Sequence, residues 1–391
     1  MEPTEKTRAE NGIYLDHNAS TPAHPEVITA IAAFMTSTPG NSASSHAVGR
    51  KVAAAVETAR NDIANLVGTA SPANVIFTSG ATEANNLALV GYTDPARSRI
   101  LVGATEHESV IAAATAATGN GGTIEIVPVD RSGLLDLHAL SEMLNDQVRV
   151  VSVMAANSET GVLSPLAEVN ALAKAAGAIV HCDATQIFGR LPFNMDELGV
   201  DQLSLSSHKL GGPQGVGALV ATRRVRKNLR PVLVGGGHED GLRSGTVNAA
   251  GIAGFAAAAR LAQSELEQRS NQMRRTRDNL EHQLAATIQD ISINGAEGHR
   301  LPNTTNVRFA GTDAEAIMMH VDHIAISSGS ACHSGAPEPS RVLTSMGLSR
   351  LAATECIRIS TGSTTTLEEI DRAVADIAAA VQFVRAISAT A

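Results

Sequence analysis

The chain has 391 residues, enough to bury a substantial core and to divide into one large and one small domain. Hydrophobic residues make up 43% and charged residues 18%, a globular balance far from that of disordered chains. With 2% aromatic residues, no tryptophan and a net charge of -9, it lacks the stacking platforms and positive field that a nucleic acid needs, so no nucleic-acid partner is expected.

Residues 1–11 are polar and charged, which predicts neither a secretory leader nor an anchor, and no later apolar run is long enough to span a bilayer. No membrane partner is expected. Three cysteines, Cys182, Cys332 and Cys356, without metal-site spacing suit a reducing compartment, so the reading is cytoplasmic, with no metal. Between residues 72 and 222, β-branched runs at 75–78, 100–103, 123–129, 148–154, 178–182, 202–206 and 216–221 alternate with helix-like stretches. That pattern builds a mostly parallel sheet covered by helices, with ligands gathered at the carboxyl ends of its strands. The basic run 223–230 reads as a solvated helix face or turn. A proline-free stretch from Ala249 to Ile288 predicts one or two helices leaving the sheet. Beyond it, strands at 291–294, 306–309 and 356–360 and a closing helix over 367–387 predict a smaller α+β unit. The expected division is 1–15 joining the small domain, 16–260 the large domain, and 261–391 the small domain.

Of five lysines, Lys209 alone follows a strand directly, among the hydroxyls and glycines of Ser206-Ser207-His208-Lys209-Leu210-Gly211-Gly212, where a bulky ligand can approach. A lysine that forms a Schiff base with an aldehyde cofactor needs that placement. Asp183 ends the preceding strand and suits a partner for a protonated ring nitrogen, although an aspartate there also serves as a helix cap. In Thr78-Ser79-Gly80-Ala81-Thr82-Glu83, a strand turns through small residues into a helix whose free N–H groups can take a phosphate or be capped.

Together with Tyr14-Leu15-Asp16-His17-Asn18-Ala19-Ser20-Thr21-Pro22, Thr105-Glu106-His107, Asp183-Ala184-Thr185-Gln186, Gly235-Gly236-Gly237-His238-Glu239, Arg243-Ser244-Gly245-Thr246 and Ser327-Ser328-Gly329-Ser330-Ala331-Cys332, these segments resemble the class V aminotransferase family, most closely its cysteine desulfurase branch. The resemblance runs nearly end to end. It implies an α/β, aspartate aminotransferase-like, pyridoxal-phosphate (PLP)-dependent transferase fold, whose large domain holds a mainly parallel seven-stranded sheet. By the same resemblance Lys209 would bind PLP covalently, Asp183 would face the pyridine nitrogen, Gln186 would bond the ring hydroxyl and His107 would stack on the ring. Ala81, Thr82, Ser206 and His208 would hold the phosphate, with Thr246 reaching over from the second subunit of a homodimer. Arg358, with Asn41, would clamp the carboxylate of L-cysteine, a task suited to a two-pronged guanidinium.

Cys332 stands in a stretch, 327–339, with almost no large apolar side chains, which predicts a mobile, exposed loop and a reactive thiol. Cys182 and Cys356 lie in apolar runs and read as buried hydrophobes. The resemblance implies that Cys332 takes sulfur from L-cysteine as a persulfide and hands it to an acceptor protein, for iron–sulfur cluster or other thio-cofactor assembly. A thiol near pKa ~8.5 must be deprotonated for this, with His107 and His333 the nearest candidates. The family's usual Asn-Asn-Glu is here Asn157-Ser158-Glu159, its Gly-Asn-Pro-Ser-Ser is Gly40-Asn41-Ser42-Ala43-Ser44, and its Arg after Gly-His-Glu is Asp240. The family's scaffold-docking tail has no counterpart after the last predicted helix, which leaves the acceptor open. Rival readings are a selenocysteine lyase or cysteine C–S lyase, a noncatalytic PLP-fold partner, and an aminotransferase or epimerase.

Overall fold

In the computed structural model, residues 12–119, 122–328 and 339–388 are described. Seven strands form the main sheet: β2 (Val75–Thr78), β3 (Arg99–Gly103), β4 (Thr123–Val127), β5 (Val148–Ser152), β6 (Ile179–Asp183), β7 (Gln202–Ser206) and β8 (Gly217–Ala221). Their order is β2-β8-β7-β6-β5-β3-β4. Pairing from β4 through β3, β5 and β6 to β7 is parallel, whereas β8 runs antiparallel to both β7 and β2. The carboxyl ends of β2, β3, β5, β6 and β7 therefore share one edge, the edge where ligands are expected in open α/β sheets.

All residues of β6 and β7 are buried, and alternation divides them between two cores. Val180 and Cys182 on β6, with Leu203 and Leu205 on β7, enter one core; Ile179 enters the other. His181 and Asp183 share the face of Ile179, which the helix Ala81–Leu89 covers. The run at 123–129 predicts a longer β4, which stops at Val127 because Pro128 has no N–H to donate to the ladder.

A three-stranded antiparallel sheet, β12-β10-β9, is built from β9 (Ile291–Ile293), β10 (Thr304–Phe309) and β12 (Cys356–Ser360). The helices Leu266–Thr287 and Leu367–Ser388 contribute Leu280, Leu284, Ile377 and Val381 to its core. A further pair, β1 (Ile13–Tyr14) with β11 (Ile324–Ala325), is parallel and adds Ile13 to that same core. The expected stretch from Ala249 to Ile288 is two helices, Ala249–Ser264 and Leu266–Thr287. No helix among the described residues is long and apolar enough to cross a membrane.

Candidate active site

The shared strand edge opens into a cleft of about 730 Å3. Each wall comes from the turn after a strand. Beyond β2, Gly80 takes φ 153 and ψ -179, open to glycine alone, and the helix Ala81–Leu89 begins with no side-chain cap. Its first N–H groups have no partner within the helix and suit an anion. Gly217 on β8 permits this arrangement, since a Cβ there would lie 2.4 Å from Leu205 O and 2.6 Å from Gly80 Cα. Beyond β3, His107 caps the helix Glu108–Ala117; β7 ends at Ser206, the N-cap of a 3-10 turn that carries His208 and Lys209.

Asp183 accepts hydrogen bonds from Thr185 N at 3.0 Å and Asn85 Nδ2 at 3.1 Å. Asn85 Nδ2 also donates to Ser109 Oγ at 2.9 Å, and Ser109 Oγ lies 2.7 Å from His107 Nδ1. Ser109 N donates to the same His107 nitrogen at 3.1 Å, which makes Nδ1 the acceptor and leaves the proton of a neutral ring on Nε2. One hydrogen-bonded chain thus joins the carboxylate of Asp183 to the ring of His107. Below Asp183, His181 is held between Ser152 Oγ at 2.8 Å and Ser204 Oγ at 3.0 Å, and burial lowers its pKa to about 4. The hydroxyl of Thr185, on the cleft wall, is buried without a protein partner.

Lys209 Nζ donates to Asn18 O at 2.5 Å and Ala19 O at 2.7 Å. Burial, then the charges of Arg190 and Arg358, lower its pKa to about 8. Tyr14 steadies this carbonyl segment: its hydroxyl donates to Ser20 O at 2.7 Å and its ring meets His17 edge-on at 5.0 Å. Gln186 donates from Nε2 to Asn18 O at 3.1 Å and accepts from the buried Arg190 through Oε1. Arg358 Nη2 donates to Asp16 at 2.6 Å and Nη1 to Ser158 O at 3.4 Å, while its buried Nε has no protein partner. His208, desolvated and beside Lys209, falls to about 4 and is neutral at pH 7.

Ala81, Thr82, His107, Asp183, Gln186, Ser206, His208, Lys209 and Arg358 therefore line one cleft. Asn41 and Thr246 do not. Asn41 accepts from Ala43 N at 2.9 Å in a local turn, and its neighbour Ser42, like Val247 beside Thr246, lines a separate cavity of about 410 Å3 that contains no lysine. Cys332 and His333 lie outside the described residues. Cys182 and Cys356 are buried, and burial raises both thiols, Cys356 to about 11. Among the described residues no cluster of His, Cys, Asp or Glu is arranged to hold a metal.

Sequence reasoning assigned no role to Asn85, Ser109, Glu106, Glu159 or Arg190, although Glu106 and Glu159 stand in motifs it quoted. Glu106 is fully buried, and desolvation followed by the charge of Asp183 pushes its carboxyl well above the usual range. The arrangement can seat an anion at the helix start, hold a cationic ring nitrogen at Asp183, and present an amine to an aldehyde at Lys209.

Residues 13–373 match the aminotransferase class-V family, to which this chain belongs. Among its relatives, a cysteine desulfurase of Frankia sp. (strain EuIK1) is 43% identical over 389 residues, spanning 96% of this chain and 93% of its own. A cysteine desulfurase IscS of Anaeromyxobacter sp. (strain Fw109-5) is 41% identical over 96% of this chain and 94% of its own. The solved structure of a NifS-like protein from Rickettsia africae ESF-5 superposes with a TM-score of 0.86 at 33% identity, covering 95% of this chain and 99% of that one.

Proposed function

We propose that this chain is a PLP-dependent cysteine desulfurase that converts L-cysteine to L-alanine and collects the sulfur on Cys332. The observation that carries the reading is the pairing of Lys209 with Asp183 at adjacent strand ends of one cleft, in a chain whose relatives at 41% identity and above are named cysteine desulfurases. The residues fit the cofactor. An uncapped helix start suits its phosphate, the unpartnered Thr185 hydroxyl offers it a hydrogen bond, and Asp183 offers a fixed charge for the ring nitrogen. When bound, PLP supplies the aldehyde for imine formation and a ring that accepts the electron pair left by the departing α-proton.

The chain's own groups do the rest. Arg358, with an unused buried Nε, holds the substrate carboxylate. Lys209, lowered to about 8, is a base matched to neutral pH and takes the α-proton at Nζ. Asp183, fixed by two donors, keeps the ring nitrogen protonated, and Asn85 and Ser109 hold the His107 ring against the cleft. Cys332, as thiolate, attacks the substrate sulfur: the S–S bond forms, the carbon–sulfur bond breaks, and the pair on carbon takes a proton to leave as alanine. A homodimer supplying Thr246 and a protein that accepts the persulfide sulfur complete the reading; the position of Thr246 outside its own chain's cleft supports the first.

The test is to load the purified protein with PLP, add L-cysteine, and follow alanine and the intact mass of wild type, Cys332→Ala and Lys209→Ala. One added sulfur on wild type alone, with alanine production lost in Lys209→Ala, is expected. Alanine formed equally by Cys332→Ala, with no added sulfur on either protein, would overturn the reading in favour of a C–S lyase.

A further inference from the structure

Both flanks of the segment that carries Cys332 are fastened to the cleft. On one side Ser327 pairs with Arg358 through the backbone, N–H to O at 3.2 Å in one direction and 2.7 Å in the other. On the far side, Ser340 Oγ donates to Glu159 Oε2 at 2.5 Å and accepts from Leu343 N at 3.2 Å, starting the helix Arg341–Ser345. The next residue, Arg341, donates through both terminal nitrogens to the carbonyl oxygens of Ala104 and Glu106, on either side of the turn that leads into His107.

Glu159 is itself held in place. Asn157 Oδ1 accepts from Glu159 N at 2.8 Å and Thr160 N at 2.9 Å, while its Nδ2 donates to Thr105 O at 3.1 Å. Burial pushes the Glu159 carboxyl up to about 7, against the bond from Ser340 and the charges of Arg358, Arg341 and His107. A half-buried carboxyl among these groups is costly to keep unless it is partnered, and the hydrogen bond that its Oε2 accepts leads to the root of the Cys332 segment.

We propose that Glu159, through Ser340, is a positioning residue that ties the root of the Cys332 segment to the substrate cleft and so sets how readily the thiol reaches the bound sulfur. This rests on Cys332 being the sulfur carrier. The chemistry is an intramolecular encounter, whose rate depends on the effective concentration the chain gives one group near another. Arg341, gripping the His107 turn, makes the second half of the latch. Glu159 takes no part in bond making; losing its bond to Ser340 should slow sulfur transfer and leave the cleft's hold on cysteine intact.

The experiment uses PLP-loaded wild type, Ser340→Ala, Glu159→Ala and Glu159→Gln. The dissociation constant for L-cysteine is read from the cofactor's absorbance change, and the single-turnover rate of sulfur addition to Cys332 from intact mass. Ser340→Ala and Glu159→Ala are expected to slow sulfur addition about tenfold, the order expected for one part-buried hydrogen bond to a carboxylate, with cysteine affinity within about twofold of wild type. Glu159→Gln keeps an acceptor for Ser340 and should retain most of the rate. Unchanged sulfur addition in Ser340→Ala and Glu159→Ala overturns the latch. A parallel loss of affinity and rate overturns it too, because that is the signature of a collapsed cleft, and so does failure of Glu159→Gln to rescue. A wild type that makes alanine but never gains sulfur on Cys332 instead overturns the desulfurase reading itself.

Discussion

At the scale of single residues, the cleft works by setting charged groups in places where water cannot pay for them. Lys209 is depressed first by burial and then by Arg190 and Arg358, although Asp16 and Asp183 pull the other way. With a folded pKa of about 8, Nζ is free amine above that pH, where an ordinary lysine would still be charged to ~10.4. Protein stripped of cofactor should therefore react with an amine-selective reagent at Lys209 with a midpoint near pH 8. Arg190→Met removes one of the two positive charges that lower it and should move that midpoint upward. A midpoint in the ordinary lysine range for wild type would contradict this account. Lys209 and Asp183 were legible in the sequence because strand ends can be counted. Arg190 was not: nothing beside it marks it, and its effect arises from burial between its near neighbour Gln186 and the carbonyl of His17, which a distant segment brings in.

At the scale of elements, the strands were read closely because each is a short β-branched run between small residues, while their directions were legible only as a mostly parallel set. The reversal of β8 left no local mark, since its sequence resembles that of its parallel neighbours. The two-residue strands β1 and β11 also escaped, being shorter than any periodicity can report. The reversal matters for the site, because it brings Gly217 against Gly80 at the turn into the uncapped helix start proposed to seat the phosphate. Gly217→Ala should cost about 1–3 kcal/mol through overpacking. It should also weaken PLP binding well beyond any loss of L-cysteine affinity, measured as cofactor retention on dialysis together with thermal unfolding. Full cofactor retention in a destabilised variant would show that the strand yields without disturbing the helix start.

At the scale of the whole molecule, Asn18, 1% exposed, hydrogen-bonds both to the β10 and β12 strands and to Ser158 beyond β5 of the main sheet. Its N–H donates to Ser360 Oγ at 2.9 Å, its Nδ2 to Thr304 Oγ1 at 2.9 Å and Ser158 O at 3.0 Å, and its Oδ1 accepts from Asn303 at 3.0 Å. The same residue's carbonyl receives Lys209 and Gln186. Asn18→Ala would orphan several buried groups at roughly 1–3 kcal/mol each. Calorimetry of that variant should show the unfolding of the β9–β10–β12 unit separating from that of the main sheet, whereas one cooperative transition shifted as a whole would argue that the cores are joined elsewhere. The motif around Asn18 is legible in the sequence but this role is not, since it exists only once Asn303, Thr304 and Ser360 arrive from the far end of the chain. The hydrogen bond and ring contact of Tyr14 have an optical consequence. The chain has two tyrosines and no tryptophan, and Tyr92 is buried elsewhere, beneath the opposite core. Tyrosine emission from this protein is thus split between one phenol touching the segment that holds Lys209 and one remote reporter. PLP seated at Lys209 should quench the first and spare the second, a label-free readout of cofactor loading.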